Sequence, residues 1–419
     1  MTEYEVYKKK VLNEIDSIEA ELIAVSDAIH KFAEYGTMEF KSSSLLISKL
    51  KERGFEISRP EVEPGMEPWR DGLRTAIKAT YRGKSERPLV GINAEYDAMP
   101  IGHGCGHNII ATAALGASLG LSTVMSNLKG TLVFLGSPAE ERFMDNAGGK
   151  VIMLGEYRKL DACAYVHPGT KWQMKVNPAY DKYGMYADVW KFTFKGSSGH
   201  MSQAMAIADA QRAAILTTVA IDTLHIVPPV EHILTGRGLV DFKDHEPYYF
   251  NKLGLTEIAE LGVYVRQGSK EDLEKALEQV KNCARGAALA TNTTVEFHKY
   301  APTYESDLTN VPLAEAFREC FVELNVQMEE AEPQISPGTS DFGNVSRVTP
   351  GTYAAIRIGE GFTGHSPGFA KAAASPEAHK AAIIGAKAIA LLGLKLFTDA
   401  KLVRRAKEDF NRRNLRSNL

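Results

Sequence analysis

The chain has 419 residues, a length that two domains accommodate better than a single core. Hydrophobic residues make up 44% and charged residues 24%, the balance of a soluble globular protein, and the formal net charge of −3 gives no electrostatic case for nucleic acid or an anionic membrane as partner. Four cysteines, Cys105, Cys163, Cys283 and Cys320, are too few for a disulfide framework in so long a chain.

The first residues, MTEYEVYKKKVLNEIDSIEAELIAV, are charged and helical in pattern and lack a signal peptide's apolar core. No stretch is expected to span a membrane, and a cytoplasmic location is the default expectation. Residues 1–55 read as helix, with LIAVSDAIHKFAEY followed by SSLLISKLKERGF ending at Gly54. Strand-like runs follow at 75–83 and 88–98, then a helix of small residues at 109–128. A strand is expected at 130–141, a helix near 145–157 and a strand at 162–169. Nearly continuous apolar strands alternating with helices predict an α/β domain with helices on both faces of the sheet.

The pattern then changes. Residues 186–196 alternate like a half-buried strand, a helix is expected at 203–225, and 231–238 and 260–268 are strand-like. A helix at 270–290 precedes a strand at 293–301. That order, β-α-β-β-α-β, predicts a ferredoxin-like α+β domain. An aromatic insertion, VDFKDHEPYYFNKLGLTEIA at 239–258, interrupts it. The α/β pattern resumes with a helix at 312–325, a strand at 353–359 and a helix at 374–396. The predicted organisation is one domain inserted in another: 1–185 and 303–419 form the larger, 186–302 the smaller. The ending NRRNLRSNL resembles a peroxisomal Ser-Lys-Leu signal with Asn in its middle place, and reads as the end of a basic helix.

Candidate ligands collect at the carboxyl ends of successive predicted strands, where open α/β sheets bind their ligands. The stretch AEYDAMPIGHGCGHN supplies Asp97, His103, Cys105 and His107. GSPAEE supplies Glu140 and Glu141, VHPG supplies His167, and GFTGHSPGF supplies His365. A turn has no use for His-Gly-Cys-Gly-His, where metal-ligand side chains alternate with glycine. Two adjacent glutamates on an extended backbone would point apart, one toward a metal and one toward the attacking water, which separates ligand from general base. Each of these residues also has a plain structural reading, as a solvated strand end or a packed histidine. His103 is left open between support behind the ligands and a local hydrogen bond to the backbone.

Taken together, AEYDAMPIGHGCGHN, GSPAEE, VHPG and GTSDFGNVSRVTPG…GHSPGFAKAAAS resemble the metallopeptidase family of aminoacylase, glutamate carboxypeptidase and the indole-acetyl-amino-acid hydrolases. The resemblance is nearest to the branch of p-aminobenzoyl-glutamate hydrolase and β-alanyl-lysine type dipeptidases, and covers nearly the whole chain. It implies a zinc-peptidase-like catalytic domain of mixed sheet and an inserted ferredoxin-like lid and dimerisation domain. It implies two divalent ions, zinc first, with manganese or cobalt also possible. Cys105 would bridge them, with His107 and His167 completing one site and Glu141 and His365 the other. Glu140 would be the general base, and Asp97 would orient a ligand from behind. His200, in GSSGHMSQ, would reach a partner's active site in a homodimer paired through the inserted domain.

The implied activity is hydrolysis of the amide bond of a dipeptide or N-acyl amino acid, a small-molecule substrate. Two alternatives are amide formation or acyl transfer at the same centre, and a non-catalytic scaffold that kept the fold. The chain departs from the family's usual pattern at EYGTMEF (34–40), at MSQAMAIADAQRAA after His200, and at GRGLVDFKDHEPYYFN. These segments are expected to line the substrate side and the subunit interface and to leave the metals untouched. Tyr248, Tyr249 and Phe250 either pack the inserted domain or shape a pocket for a bulky acyl group.

Overall fold

In a computed structural model, the described residues are 3–141, 145–175, 182–197, 199–200, 208–235, 254–255, 257–330 and 338–417. The backbone divides into two compact units. The first comprises Met1–Gly184, Ser306–Ser336 and Ser340–Leu419, and the second Met185–Glu305 with Pro337–Thr339.

The first unit is built on a seven-stranded mixed sheet. Its four central strands, Thr131–Gly136, Leu89–Ala94, Ala162–Gly169 and Gly351–Arg357, are mutually parallel in that order. Antiparallel strands Ile77–Arg82 and Glu56–Ser58 extend one side and Gln173–Met174 the other. Parallel central strands need cover on both faces, and the period of two along each strand divides the core accordingly. Ile92, Phe134, Ala164 and Val166 join the apolar cluster formed with the long helices His107–Met125 and Pro376–Thr398. Val133, Leu135, Cys163 and Tyr165 face the other way, onto Leu73, Ile152, Tyr157, Phe342 and Val345.

Two helices, His107–Met125 and Pro376–Thr398, are long and apolar enough to cross a membrane, which corrects the expectation that no stretch is. Their most apolar windows are 94% and 78% buried inside the protein, the signature of core helices. Their contact depends on small residues. A Cβ added at Gly116 would lie 2.8 Å from Leu22 Cδ1 and 2.9 Å from Ala386 Cβ.

The second unit has a four-stranded antiparallel sheet ordered Glu231–Thr235, Ile258–Gln267, Tyr186–Lys195, Thr294–Lys299. Helices Ala210–Asp222 and Lys270–Ala290 fall between its strands along the chain, the ferredoxin-like arrangement. Phe192, Phe194, Leu261, Val263 and Val265 share one apolar cluster with Ala213, Leu273, Leu277 and Val280. The helix expected at 203–225 starts at Ala210 in the described residues, where Asp209 Oδ1 accepts the Gln211 N–H at 3.0 Å. Tyr248, Tyr249 and Phe250 lie outside the described residues.

Gly116→Val is expected to destabilise the first unit by about 1–3 kcal/mol through overpacking. Thermal unfolding reads this as a lowered Tm; an unchanged Tm would show that the interhelical contact yields.

Candidate metal centre

The site forms where the four parallel strands end. Three of them stop earlier than the sequence suggests. Leu89–Ala94 ends three residues before Asp97, Thr131–Gly136 ends four before Glu140, and Gly351–Arg357 ends eight before His365. Only His167 sits within its strand, Ala162–Gly169. Glu140 and Glu141 therefore stand in an irregular segment beyond the strand, where a carboxylate oxygen of each lies within 4.8 Å of the other, and the divergence expected of neighbours on an extended strand does not apply. In that segment Ala139 has φ 53°, a left-handed conformation that costs an alanine on the order of 1 kcal/mol. Gly148 N–H donates to Ala139 O at 2.7 Å and holds it from one side.

Gly106 has φ 73° and immediately precedes helix His107–Met125, so the chain turns there without strain and delivers Cys105 and His107 together. His365 is itself left-handed at φ 58°, and its N–H donates to Gly104 O at 2.9 Å. The last strand's loop is thereby tied to the first.

Donor atoms converge in two trios, each with its atoms within 4.8 Å of one another: Cys105, His107 and His167, and Cys105, Glu141 and His365. Cys105 belongs to both. A third group, His107, Glu140 and Glu141, meets the same limit. Cys105 Sγ is 3.4 Å from His167 Nε2, and His365 Nε2 is 3.3 Å from Glu141 Oε1.

The hydrogen bonds set the tautomers. His107 Nδ1–H donates to Asp97 Oδ1 at 2.7 Å, and His167 Nδ1–H donates to Pro168 O at 2.8 Å. In each ring Nδ1 is thereby committed, which leaves Nε2 as the nitrogen available to an ion. Buried His107 Nε2 and Glu141 Oε1 have no hydrogen-bond partner among the described residues. Buried polar atoms without partners cost about 1–3 kcal/mol, and here they belong to groups that bind divalent ions. Thiolate, imidazole and carboxylate donors arranged as two trios around a shared sulfur fit a pair of divalent cations.

Electrostatics agree with this chemistry. Burial pushes the Cys105 thiol upward, but the imidazoles of His167 and His107 outweigh it and bring it down to about 6. Burial outweighs the opposing charge of Lys150 at Cys163, which is pushed up to about 12, and dominates at Cys320, also about 12. Cys283 is half-buried. Cys105 and Glu141 raise His365 to about 11. Burial, then the carboxylates of Glu95 and Glu141, hold the half-buried Glu140 well above the ordinary carboxylate range. Positive charge at the donor trios opposes that shift, so a loaded site favours the carboxylate form of Glu140.

The contacts around the centre bring in Glu95, Lys150 and Asp341, which the sequence reading did not single out. Asp97 Oδ2 accepts the Glu141 N–H at 2.9 Å, so Asp97 holds a ligand of each trio. Lys150 is fully buried and pairs with Glu95 Oε1 at 2.8 Å and with Asp341 Oδ1. Glu95 Oε2 lies 3.5 Å from His107 Nε2. Glu95 and Asp341 stood inside conspicuous motifs; Lys150 had no local signal. His103 Nε2–H donates to Ile29 O at 3.0 Å, a backbone partner that is distant in sequence, and burial, then His107, lowers its imidazole to about 3. His200 lies in a short strand, Gly199–His200, paired with Gly254–Leu255; its side chain is outside the described set.

The family described as peptidase family M20/M25/M40 matches residues 61–383. Xaa-Arg dipeptidase of Mus musculus is 28% identical, over 97% of this chain and 93% of its own length. N-acetyl-L-cysteine deacetylase of Bacillus subtilis is 25% identical over 85% of this chain and 84% of its own length. Among solved structures, the aminobenzoyl-glutamate utilization protein of Klebsiella pneumoniae superposes with a TM-score of 0.66 at 15% identity, covering 91% of this chain and 97% of that one. The shared fold there is a finding about architecture.

Cys105→Ala removes the donor common to both trios. The variant is expected to lose most bound divalent ion, measured by elemental analysis after equilibration with zinc, whereas serine at Cys163, Cys283 or Cys320 leaves ion content unchanged. Full ion content in Cys105→Ala would remove the shared-donor role.

Proposed function

The chain belongs to peptidase family M20/M25/M40 and is a metal-dependent hydrolase of amide bonds; we propose that it is a dipeptidase whose preferred substrates carry a basic C-terminal residue. The supporting observation for the substrate is the match to Xaa-Arg dipeptidases of mouse and human over 97% and 98% of this chain. We also propose zinc as the native ion, on the strength of a thiolate and three imidazoles in the donor set, with manganese or cobalt as substitutes. A thiolate donor needs a reducing compartment, which favours the cytoplasm.

In this reading Cys105, His107 and His167 would hold one ion, and Cys105, Glu141 and His365 the other. Ions held there would supply Lewis acidity for the scissile carbonyl and lower the pKa of water. Glu140 takes the proton from the attacking water and returns it to the leaving amine, so one carboxylate serves as base and then as acid. Asp97 fixes the His107 tautomer and the Glu141 backbone throughout. We further propose a homodimer formed through the inserted domain, in which His200 of one subunit donates a hydrogen bond to the oxyanion at the other subunit's centre. Such donors are typically worth ~10²–10³ in rate.

A screen of dipeptides and N-acyl amino acids with added zinc, manganese or cobalt tests the substrate; preference for an N-acetyl amino acid over every Xaa-Arg or Xaa-Lys dipeptide would overturn it. Glu140→Gln keeps size and hydrogen bonding but cannot accept the proton. It is expected to bind ions normally and to lose at least about 10³ in kcat. Activity within tenfold of the unmodified enzyme removes Glu140 from the mechanism. Heterodimers of Glu140→Gln with His200→Ala carry one centre with both defects and one with neither, and should regain up to about half of the activity. No regain in verified heterodimers would refute the cross-subunit donor.

A further inference from the structure

The segment EYGTMEF, where the chain leaves its family's usual pattern, was expected to face substrate and a subunit interface. The structure puts it instead behind the two loops that carry the metal-site carboxylates. Glu34 O accepts the Ala98 N–H at 2.8 Å, and Tyr35 forms a parallel bridge with Ala98, one residue beyond Asp97. Gly36 packs directly on Ala139: a Cβ added to it would lie 2.8 Å from both Ala139 Cα and Cβ.

Glu39 is the penultimate residue of this segment. It stands at the N-cap of helix Phe40–Glu52, yet its side chain makes no cap hydrogen bond there. Glu34 does that work, accepting from the N–H groups of Lys41 and Ser42 at 2.9 Å each. The fully buried Glu39 carboxyl group, which burial and then the charge of Asp97 push up to about 8, goes elsewhere. Its Oε1 accepts the Ala139 N–H at 2.8 Å, and its Oε2 meets the Thr75 hydroxyl at 2.6 Å. Thr75 O in turn accepts the hydroxyl of buried Tyr96, which lies between Glu95 and Asp97. A buried carboxyl group diverted from its own helix to one backbone N–H, at a strained residue adjoining Glu140, is costly unless the geometry it fixes is needed.

We propose that Glu39 is a positioning residue for Glu140: it clamps Ala139 in the left-handed conformation from which the chain enters Glu140 and Glu141. The proposal rests on the reading of Glu140 as general base. Glu141 has its own clamp in Asp97, so loss of Glu39 acts first on Glu140. A displacement on the order of 1 Å of a reacting group can cost up to about 10² in rate.

The test uses the full-length chain in two states. In the metal-free protein, amide hydrogen exchange of the peptide covering residues 137–141 reads the clamp without any catalysis. Glu39→Ala should speed exchange at Ala139 at least about tenfold, and Glu39→Gln, whose amide can meet both Ala139 N–H and the Thr75 hydroxyl, should leave it protected. In the zinc-loaded enzyme with its best dipeptide, Glu39→Ala should lower kcat at least about tenfold at unchanged KM and ion content, and Glu39→Gln should restore most of it. In an Ala139→Gly background, where glycine adopts the same backbone freely, the loss from Glu39→Ala should shrink. Should Glu39→Ala fail to fold, Glu39→Asp, which withdraws the carboxylate by one methylene, carries the same expectations. Unchanged exchange, kcat within twofold of the unmodified enzyme, or equal damage from Gln and Ala would each overturn the clamp. Retained activity in Glu140→Gln would instead overturn the general-base reading, and the exchange result would stand apart from it.

Discussion

One buried carboxylate joins the two halves of the metal centre. Asp97 gives one oxygen to His107 Nδ1–H and the other to the Glu141 N–H. The first bond fixes which imidazole nitrogen faces the centre, and the second fixes where the Glu141 turn begins. His107 belongs to one donor trio and Glu141 to the other. Both loops, from strands neighbouring in the sheet, are thus referred to a single rigid group. Cys105, common to both trios, has a defined place only because those loops do.

The sheet makes this economical. Four parallel strands end at one edge, and each contributes a loop there, so residues from Asp97 to His365 meet without a long excursion of the chain. Concentrating so many acids in a dry site is costly. Lys150 offsets part of that cost by pairing with both Glu95 and Asp341, with its own charge fully buried. Removing one member of such a group strands the rest, which typically costs 3–5 kcal/mol, about the scale of losing a core aromatic side chain. The remaining negative charge, close to His107 and Glu141, suits divalent cations.

Much of this was legible in the sequence, because the signals are local. The helix expected at 270–290 is Lys270–Ala290, where the Ser269 hydroxyl accepts the Asp272 N–H. The four ligand-bearing strands are the four that run parallel, and alternation at 186–196 marks the strand at the heart of the second sheet. What failed to show was non-local or conformational. The left-handed Ala139 leaves no trace in residue type, so GSPAEE read as a continuing strand. Lys150 finds Asp341 across 191 positions and Glu39 finds Ala139 across 100, separations at which no periodicity speaks. The basic end of the chain, read as a terminal helix, is the helix Ala400–Ser417, which buries Leu402 and Ala406.

The account stands on coupling through Asp97, and calorimetric titration of the metal-free chain with zinc reads it. The unmodified chain should bind two ions per chain. Asp97→Ala removes the acceptors of both bonds, and should reduce affinity for both ions together, by roughly 10–100-fold each. Two ions bound at unchanged affinity, or weakening of one site with the other intact, would contradict the claim that a single carboxylate holds both halves of the centre.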